Sequence, residues 1–159
     1  MNLKEIRINK KETKILSSLE TFRDLVTGPS LAVLSTISIK GYPHSTVVWF
    51  DFDGEFFRIN TMKGFQKEKN IRRNPQVNLL IYSPNDPLRS VEIRGEVIEI
   101  SDKDSLQHLN LLSQIYTGKN NYFGDVIPEH FQETEFPLIC KIKPLKIVTL
   151  PKTGRISDE

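Results

Sequence analysis

Ser45-Thr46-Val47-Val48-Trp49-Phe50-Asp51-Phe52-Asp53-Gly54-Glu55-Phe56-Phe57-Arg58-Ile59-Asn60 is the stretch from which the fold is read. Two β-rich runs, residues 45–52 and 55–60, flank Asp53-Gly54. An Asp-Gly pair in that setting favours the positive-φ turns that join hairpin strands. Upstream, residues 31–39 are rich in β-branched side chains and lead into Lys40-Gly41-Tyr42-Pro43, a second turn. Three strands thus follow one another through tight turns, and strands joined that way pair antiparallel.

Outward from this core, residues 61–73 predict a short helix, with Thr61 as its cap and Asn74-Pro75 as its stop. Residues 77–82 predict a fourth strand. Residues 90–100 predict a fifth, in which Val91, Ile93 and Val97 alternate with Glu92, Arg94 and Glu96. Gly95 inside it signals a bulge or a close backbone approach. Asp102 is placed to cap a helix carrying Leu106, Leu109, Leu112 and Ile115 and ending at Gly118. Residues 119–136 read as a loop with a helical turn near Pro128, and residues 138–150 as a last strand broken at Pro144. On the other side, Ile15, Leu16, Leu19, Phe22, Leu25 and Val26 recur at helical spacing until Gly28-Pro29. Residues 1–13 read as an arm. With no repeat and no low-complexity tract, the 159 residues predict a single domain. Six mostly antiparallel strands with intervening helices make it α+β, mainly β, a small closed or partly open barrel.

Composition excludes several function classes. Hydrophobic residues at 38% and charged residues at 26% belong to an ordinary globular chain rather than a disordered one. No run approaches the roughly 20 apolar residues that span a bilayer, and the first residues lack a secretory signal. Cys140 is the only cysteine, so internal disulfides and Cys-rich metal sites are out, and a reducing, cytoplasmic setting is the expectation. The net charge of +2 is uneven: residues 63–73 carry +4 and the first fourteen residues +3, over an acidic remainder. A general nucleic-acid binder would spread basic residues over a whole face, so no nucleic-acid partner is expected and a local anion site is.

The chemistry-bearing segment is Asn60-Thr61-Met62-Lys63-Gly64-Phe65-Gln66-Lys67, where a strand end meets a helix start. Unpaired N–H groups and the helix dipole favour anions there. A Thr hydroxyl, a glycine and Lys67 one turn on suit a phosphate; a solvated basic helix is the other reading. The neighbouring Ser45-Thr46-Val47-Val48-Trp49 offers hydroxyls beside a flat apolar surface fit for a planar ligand, or else is a plain core strand. Asp51, Asp53 and Glu55 read as solvated turn carboxylates. His44, His108 and His130 lack metal-ligand spacing, and Cys140 reads as a core residue. With no acid–base or nucleophile set, an enzyme of this sequence would depend on a cofactor for its chemistry.

Four stretches in order resemble the pyridoxamine-phosphate-oxidase-like split β-barrel superfamily of flavin and deazaflavin proteins. They are residues 31–36 with Gly41-Tyr42-Pro43-His44, then Val48-Trp49-Phe50, then the run Thr61-x-x-Gly64-x-x-Lys67-x-x-Asn70-x-x-x-Asn74-Pro75, then Val91-Glu92-Ile93-Arg94-Gly95. The resemblance implies a six-stranded antiparallel split barrel and a homodimer with the coenzyme at its interface. It implies hydride transfer between FMN, or an 8-hydroxy-5-deazaflavin coenzyme, and a small molecule; a non-catalytic flavin or haem carrier or stress-response protein is the alternative. By the same resemblance Thr61, Gln66 and Lys67 hold the phosphate, and Thr46, Val47, Val48 and Trp49 run along the ring. Asn60 and Ser90 fall at further coenzyme contacts. Gln66 and Ser45 stand where the oxidases carry Arg, with Lys63, Lys69 or Arg72 as compensating charges or a longer anionic coenzyme tail as the alternative. Phe50 replaces a substrate-contacting Lys and the C-terminal substrate arm has no counterpart, so a true pyridoxamine phosphate oxidase is not expected.

Overall fold

The structure is a computed structural model that describes residues 10–149 except Pro87. Most of the proposed N-terminal arm therefore lies outside the described residues; its last part, from Lys10, is helical. The strands are β1 (Leu31–Ile37), β2 (Pro43–Val48), β3 (Phe50–Phe52), β4 (Phe57–Met62), β5 (Gln76–Tyr82), β6 (Ser90–Ser101) and β7 (Pro137–Thr149). The α-helices are α1 (Lys10–Glu20), α2 (Arg23–Thr27), α3 (Gln66–Arg73) and α4 (Ser105–Thr117), and a 3-10 helix, Glu129–Glu133, follows Pro128, where a helical turn is expected. All strand pairs are antiparallel.

The sheet order is β2-β1-β5-β6-β7-β4-β3. β2 and β3 are the two outermost strands, yet only Trp49 separates them in the chain. A single residue spans under 4 Å, so the sheet must curl until its edges meet. This is the split barrel, and the seam is at Trp49. The seventh strand, one more than expected, exists because the run 45–52 breaks at that seam.

Alternation decides what fills the barrel. Ala32 and Leu34 of β1, Leu79 and Ile81 of β5, Val91 and Ile93 of β6, and Cys140 and Ile142 of β7 are all fully buried. Phe50, Phe57 and Ile59 complete this core, capped by Leu19, Leu25 and Val26 from the first two helices and by Ile71 from α3. The expected single N-terminal helix breaks at Phe22, whose φ of −114° and ψ of 20° are not helical. Its ring packs on the core and takes the Arg89 guanidinium on its face.

Gly95 sits opposite Pro144 at a register shift. A Cβ there would lie 2.7 Å from Ile142 Cγ2 and 2.8 Å from the Lys143 carbonyl oxygen. The bulge absorbs Pro144, so β7 runs through the proline where a break was expected. Two cap assignments are corrected. Thr61 belongs to β4, and α3 begins after Phe65 with no side-chain cap. Asp102 sits in the turn after β6, where its carbonyl accepts the Ser105 N–H, and Asp104 precedes α4 in the left-handed conformation. Thr61 is drawn into the strand because β4 continues to Met62, whereas Asp102 misses the cap because a turn over residues 102–104 precedes α4. Gly118 ends α4 as expected, with φ +73°.

Candidate functional site

A cavity of about 430 Å³ opens where β2, β4 and the start of α3 meet α4 and the segment 122–135. Six of the residues proposed from sequence line it: Val47, Val48, Trp49, Asn60, Thr61 and Lys67. The others lie elsewhere in the single chain. Ser45 is on the outer face of β2, bonded to Ser35 at 2.8 Å. Thr46 pairs with Leu34 on the opposite face of that strand, and its buried Oγ1 has no partner. Gln66 donates to Asn70 Oδ1 at 2.8 Å, and Asn70 donates to Thr36 at 3.0 Å, a strut between α3 and β1. Ser90 begins β6 opposite Tyr82.

The wall is made by strand geometry. Trp49 leaves the sheet at the seam, and its indole stacks on Tyr116 of α4 at 5.4 Å and 13°, with Tyr122 at its edge. The Tyr116 hydroxyl accepts the Phe50 N–H at 3.2 Å and donates to the Phe50 carbonyl at 3.0 Å, closing backbone groups that the seam leaves open. Burial pushes that hydroxyl up to about 12, so it stays a protonated donor. Leu109 and Leu112 of α4, with Tyr122, Ile127 and Phe131, form the facing apolar wall. Periodicity identifies the apolar stripe of α4 but not that Leu109 and Leu112 face a cavity, and the loop with a helical turn expected over residues 119–136 carries no sign that it forms a wall.

The polar groups of the cavity are incompletely satisfied. Thr61 is 4% exposed and its Oγ1 has no partner. Asn60 Oδ1 is likewise buried without one. Lys67 makes no hydrogen bond or ion pair among the described residues, and burial pushes its ammonium below the usual lysine range. Gly64, with φ +85° and open space around it, makes the turn into α3. Its N–H is taken by Glu68 Oε2 at 3.2 Å, and Glu68 also pairs with Arg72. Burial would raise the Glu68 carboxyl; Arg72 and the Gly64 N–H hold it below the usual range. The Gly64 amide and Gln66 amide are thus internally engaged, while Thr61 and Lys67 are left for a ligand. Such buried orphans beside a free cation fit an anionic or strongly hydrogen-bonding group.

Asp51 departs from the solvated turn carboxylate expected. It pairs with Arg58, through Nε at 2.9 Å, and receives His108 Nε2 at 3.2 Å. Asp53 does cap its turn, accepting the Glu55 and Phe56 N–H groups. Cys140 is fully buried and its thiol is pushed up to about 12 by burial, which removes it as a nucleophile. Among the described residues no group of three His, Cys, Asp or Glu side chains could hold a metal, and no helix is long and apolar enough to cross a membrane.

No curated protein matches the chain. Solved structures do. An F420 reductase superposes with a TM-score of 0.68 and 26% identity over 79% of this chain and 94% of that one. The conserved hypothetical protein Rv2991 from Mycobacterium tuberculosis gives 0.61 and 25% over 87% and 88%. General Stress Protein 26 from Bacillus anthracis shares the fold at 0.55 and 19% identity, over 80% and 89%. The family model described as pyridoxamine 5'-phosphate oxidase matches residues 18–135, a span that holds the barrel seam, the motif around Lys67 and the whole cavity. The chain therefore belongs to the pyridoxamine 5'-phosphate oxidase family.

Proposed function

We propose that the protein is a flavin-dependent oxidoreductase that binds FMN or an 8-hydroxy-5-deazaflavin coenzyme in the cavity and exchanges hydride with a small molecule. The observation that carries this reading is the pairing of an unpartnered buried hydroxyl and a lysine with no hydrogen bond or ion pair among the described residues, in a cavity bordered by the apolar Val47, Val48 and Trp49. The coenzyme, when bound, supplies the hydride chemistry. Lys67 and Thr61 receive its anionic end, the valines and Trp49 border its ring, and Leu109, Leu112 and Phe131 cover it from α4 and the segment that follows. Likeness to an F420 reductase at 26% identity supports the deazaflavin arm.

A homodimer belongs to this reading. Val47 lines the cavity and also lies on the outer sheet face, in register with Val33 and through it with Leu80. Val47 is 67% exposed and Leu80 39%. Ser45 and Ser90 lie on this same face, in register with Ser35 and Tyr82. A second copy covering the face would abut the cavity mouth, and Ser90 of the partner subunit could then enter the site.

Absorbance titration with each coenzyme tests the reading. Binding of either at micromolar concentration is expected, and binding of neither would overturn it. Lys67→Ala should weaken the bound coenzyme about tenfold to a hundredfold, the effect of removing a charge-assisted contact, with the unfolding midpoint little changed.

A further inference from the structure

Asn60 can be accounted for proton by proton. Its Nδ2 donates to the Ser105 carbonyl at 3.0 Å and stands 3.4 Å from His108 Nδ1. A carbonyl only accepts, so the nitrogen of the amide must be the atom that faces Ser105. The second contact agrees. Asp51 is held ionised: burial would raise its carboxyl, but hydrogen bonds from His108 and Arg58 bring it below the usual aspartate range. An ionised carboxylate only accepts, so His108 presents Nε2–H to it, at 3.2 Å. Asn60 Nδ2 can only donate, so its contact with Nδ1 is a hydrogen bond in which Nδ1 supplies the lone pair and receives the remaining N–H of Asn60. Both amide hydrogens are then used within the protein. The oxygen is not: Oδ1 is buried in the cavity region with no partner.

His108 is 7% exposed, and a chain from Arg58 through Asp51 and His108 to Asn60 links β4 to α4. An unmet buried acceptor destabilises the free protein, and it is relieved when a donor enters.

We propose that His108, fixed by Asp51, is a positioning residue that orients the Asn60 amide so that Oδ1 accepts a hydrogen bond from an N–H donor on the ring bound in the cavity. This rests on the coenzyme reading above. Flavins and deazaflavins both carry such a donor in the imide N3–H of the ring. The arrangement selects rings that present N–H at that edge over rings that are alkylated or aprotic there.

The test is calorimetric titration with FMN and 3-methyl-FMN, or with 8-hydroxy-5-deazaflavin and its 3-methyl derivative if that series is the one bound. Wild-type protein should prefer the N–H form by about tenfold or more, the effect of leaving a buried acceptor unmet. Asn60→Ala should bring the ratio close to one. His108→Phe should lower it, and His108→Gln, which restores an acceptor beside Nδ2, should recover it. Equal binding of the two forms by wild-type protein, or an undiminished ratio in Asn60→Ala, would overturn the inference while leaving the coenzyme reading intact. Failure to bind either series would overturn both. The wild-type ratio and Asn60→Ala decide the matter even if His108→Phe does not fold.

Discussion

Asp51 shows how far one side chain can depart from its local sequence context. It sits two residues before a hairpin turn, where a carboxylate is ordinarily solvated. Antiparallel pairing sets it directly opposite Arg58, and α4 brings His108 over it from 57 residues away in sequence. Both partners stabilise the ionised form. Because the folded carboxyl titrates below its unfolded value, the stabilisation is complete above the unfolded value of about 4 and is lost as pH falls through the folded one. Asp51→Asn should therefore be less stable than wild type by about 1–3 kcal/mol near neutrality. The gap should shrink as acid protonates Asp51 in the wild type. Urea unfolding at pH 7, 5 and 3 measures it; a gap that is constant with pH would refute the assignment. None of this was legible from spacing, since an Asp-x-Asp-Gly turn looks the same whether or not a distant helix supplies a histidine.

At the scale of elements, strands were legible and their ends were not. Period-2 alternation in residues 31–37 and 90–97 is strong because one face of each strand is buried in the barrel. The break at Trp49 was hidden because Val47-Val48-Trp49-Phe50 is apolar throughout, and an apolar run carries no phase information. Thr61 read as a cap for a related reason: Thr suits both a cap and a strand, and pairing of Asn60 and Thr61 with β7 decided for the strand. The sequence did expose the β6 bulge, because glycine in the middle of a strand seldom has another purpose. Gly95→Ala should destabilise the protein by about 1–3 kcal/mol through overpacking, read as a lower urea midpoint. Its new methyl meets a backbone carbonyl that cannot rotate away. The site divides along the same line. Of the cavity lining, Val47, Val48, Asn60 and Thr61 could be named from sequence because they lie on strands, where both residue chemistry and the resemblance are readable. Tyr122, Ile127 and Phe131 were missed because they belong to a connection whose path depends on where α4 docks.

For the whole molecule, the decisive quantity is the surface the barrel leaves unfilled. Its inner face is apolar, as a closed sheet demands, but a row from Val47 through Val33 to Leu80 makes part of the outer face apolar too. This row is the face on which the proposed dimer would form. In sedimentation the protein should run as a dimer, and Leu80→Glu, which adds a charge beside Glu92, should shift it toward monomer. Coenzyme affinity should fall in parallel, since the same face borders the cavity. A monomeric wild type would remove this part of the proposal.

The seam residue has one more consequence, and it is optical. Trp49 is the chain's only tryptophan. It stands where the sheet edges meet, against Tyr116, and in the wall of the cavity. Its fluorescence is thus a built-in reporter with no competing emitter of its kind. Opening of the barrel would expose the indole and shift its emission to the red, and a bound coenzyme would drain that emission by energy transfer. Closure of the fold and occupancy of its cavity can be followed in the same sample, through one side chain, without any label.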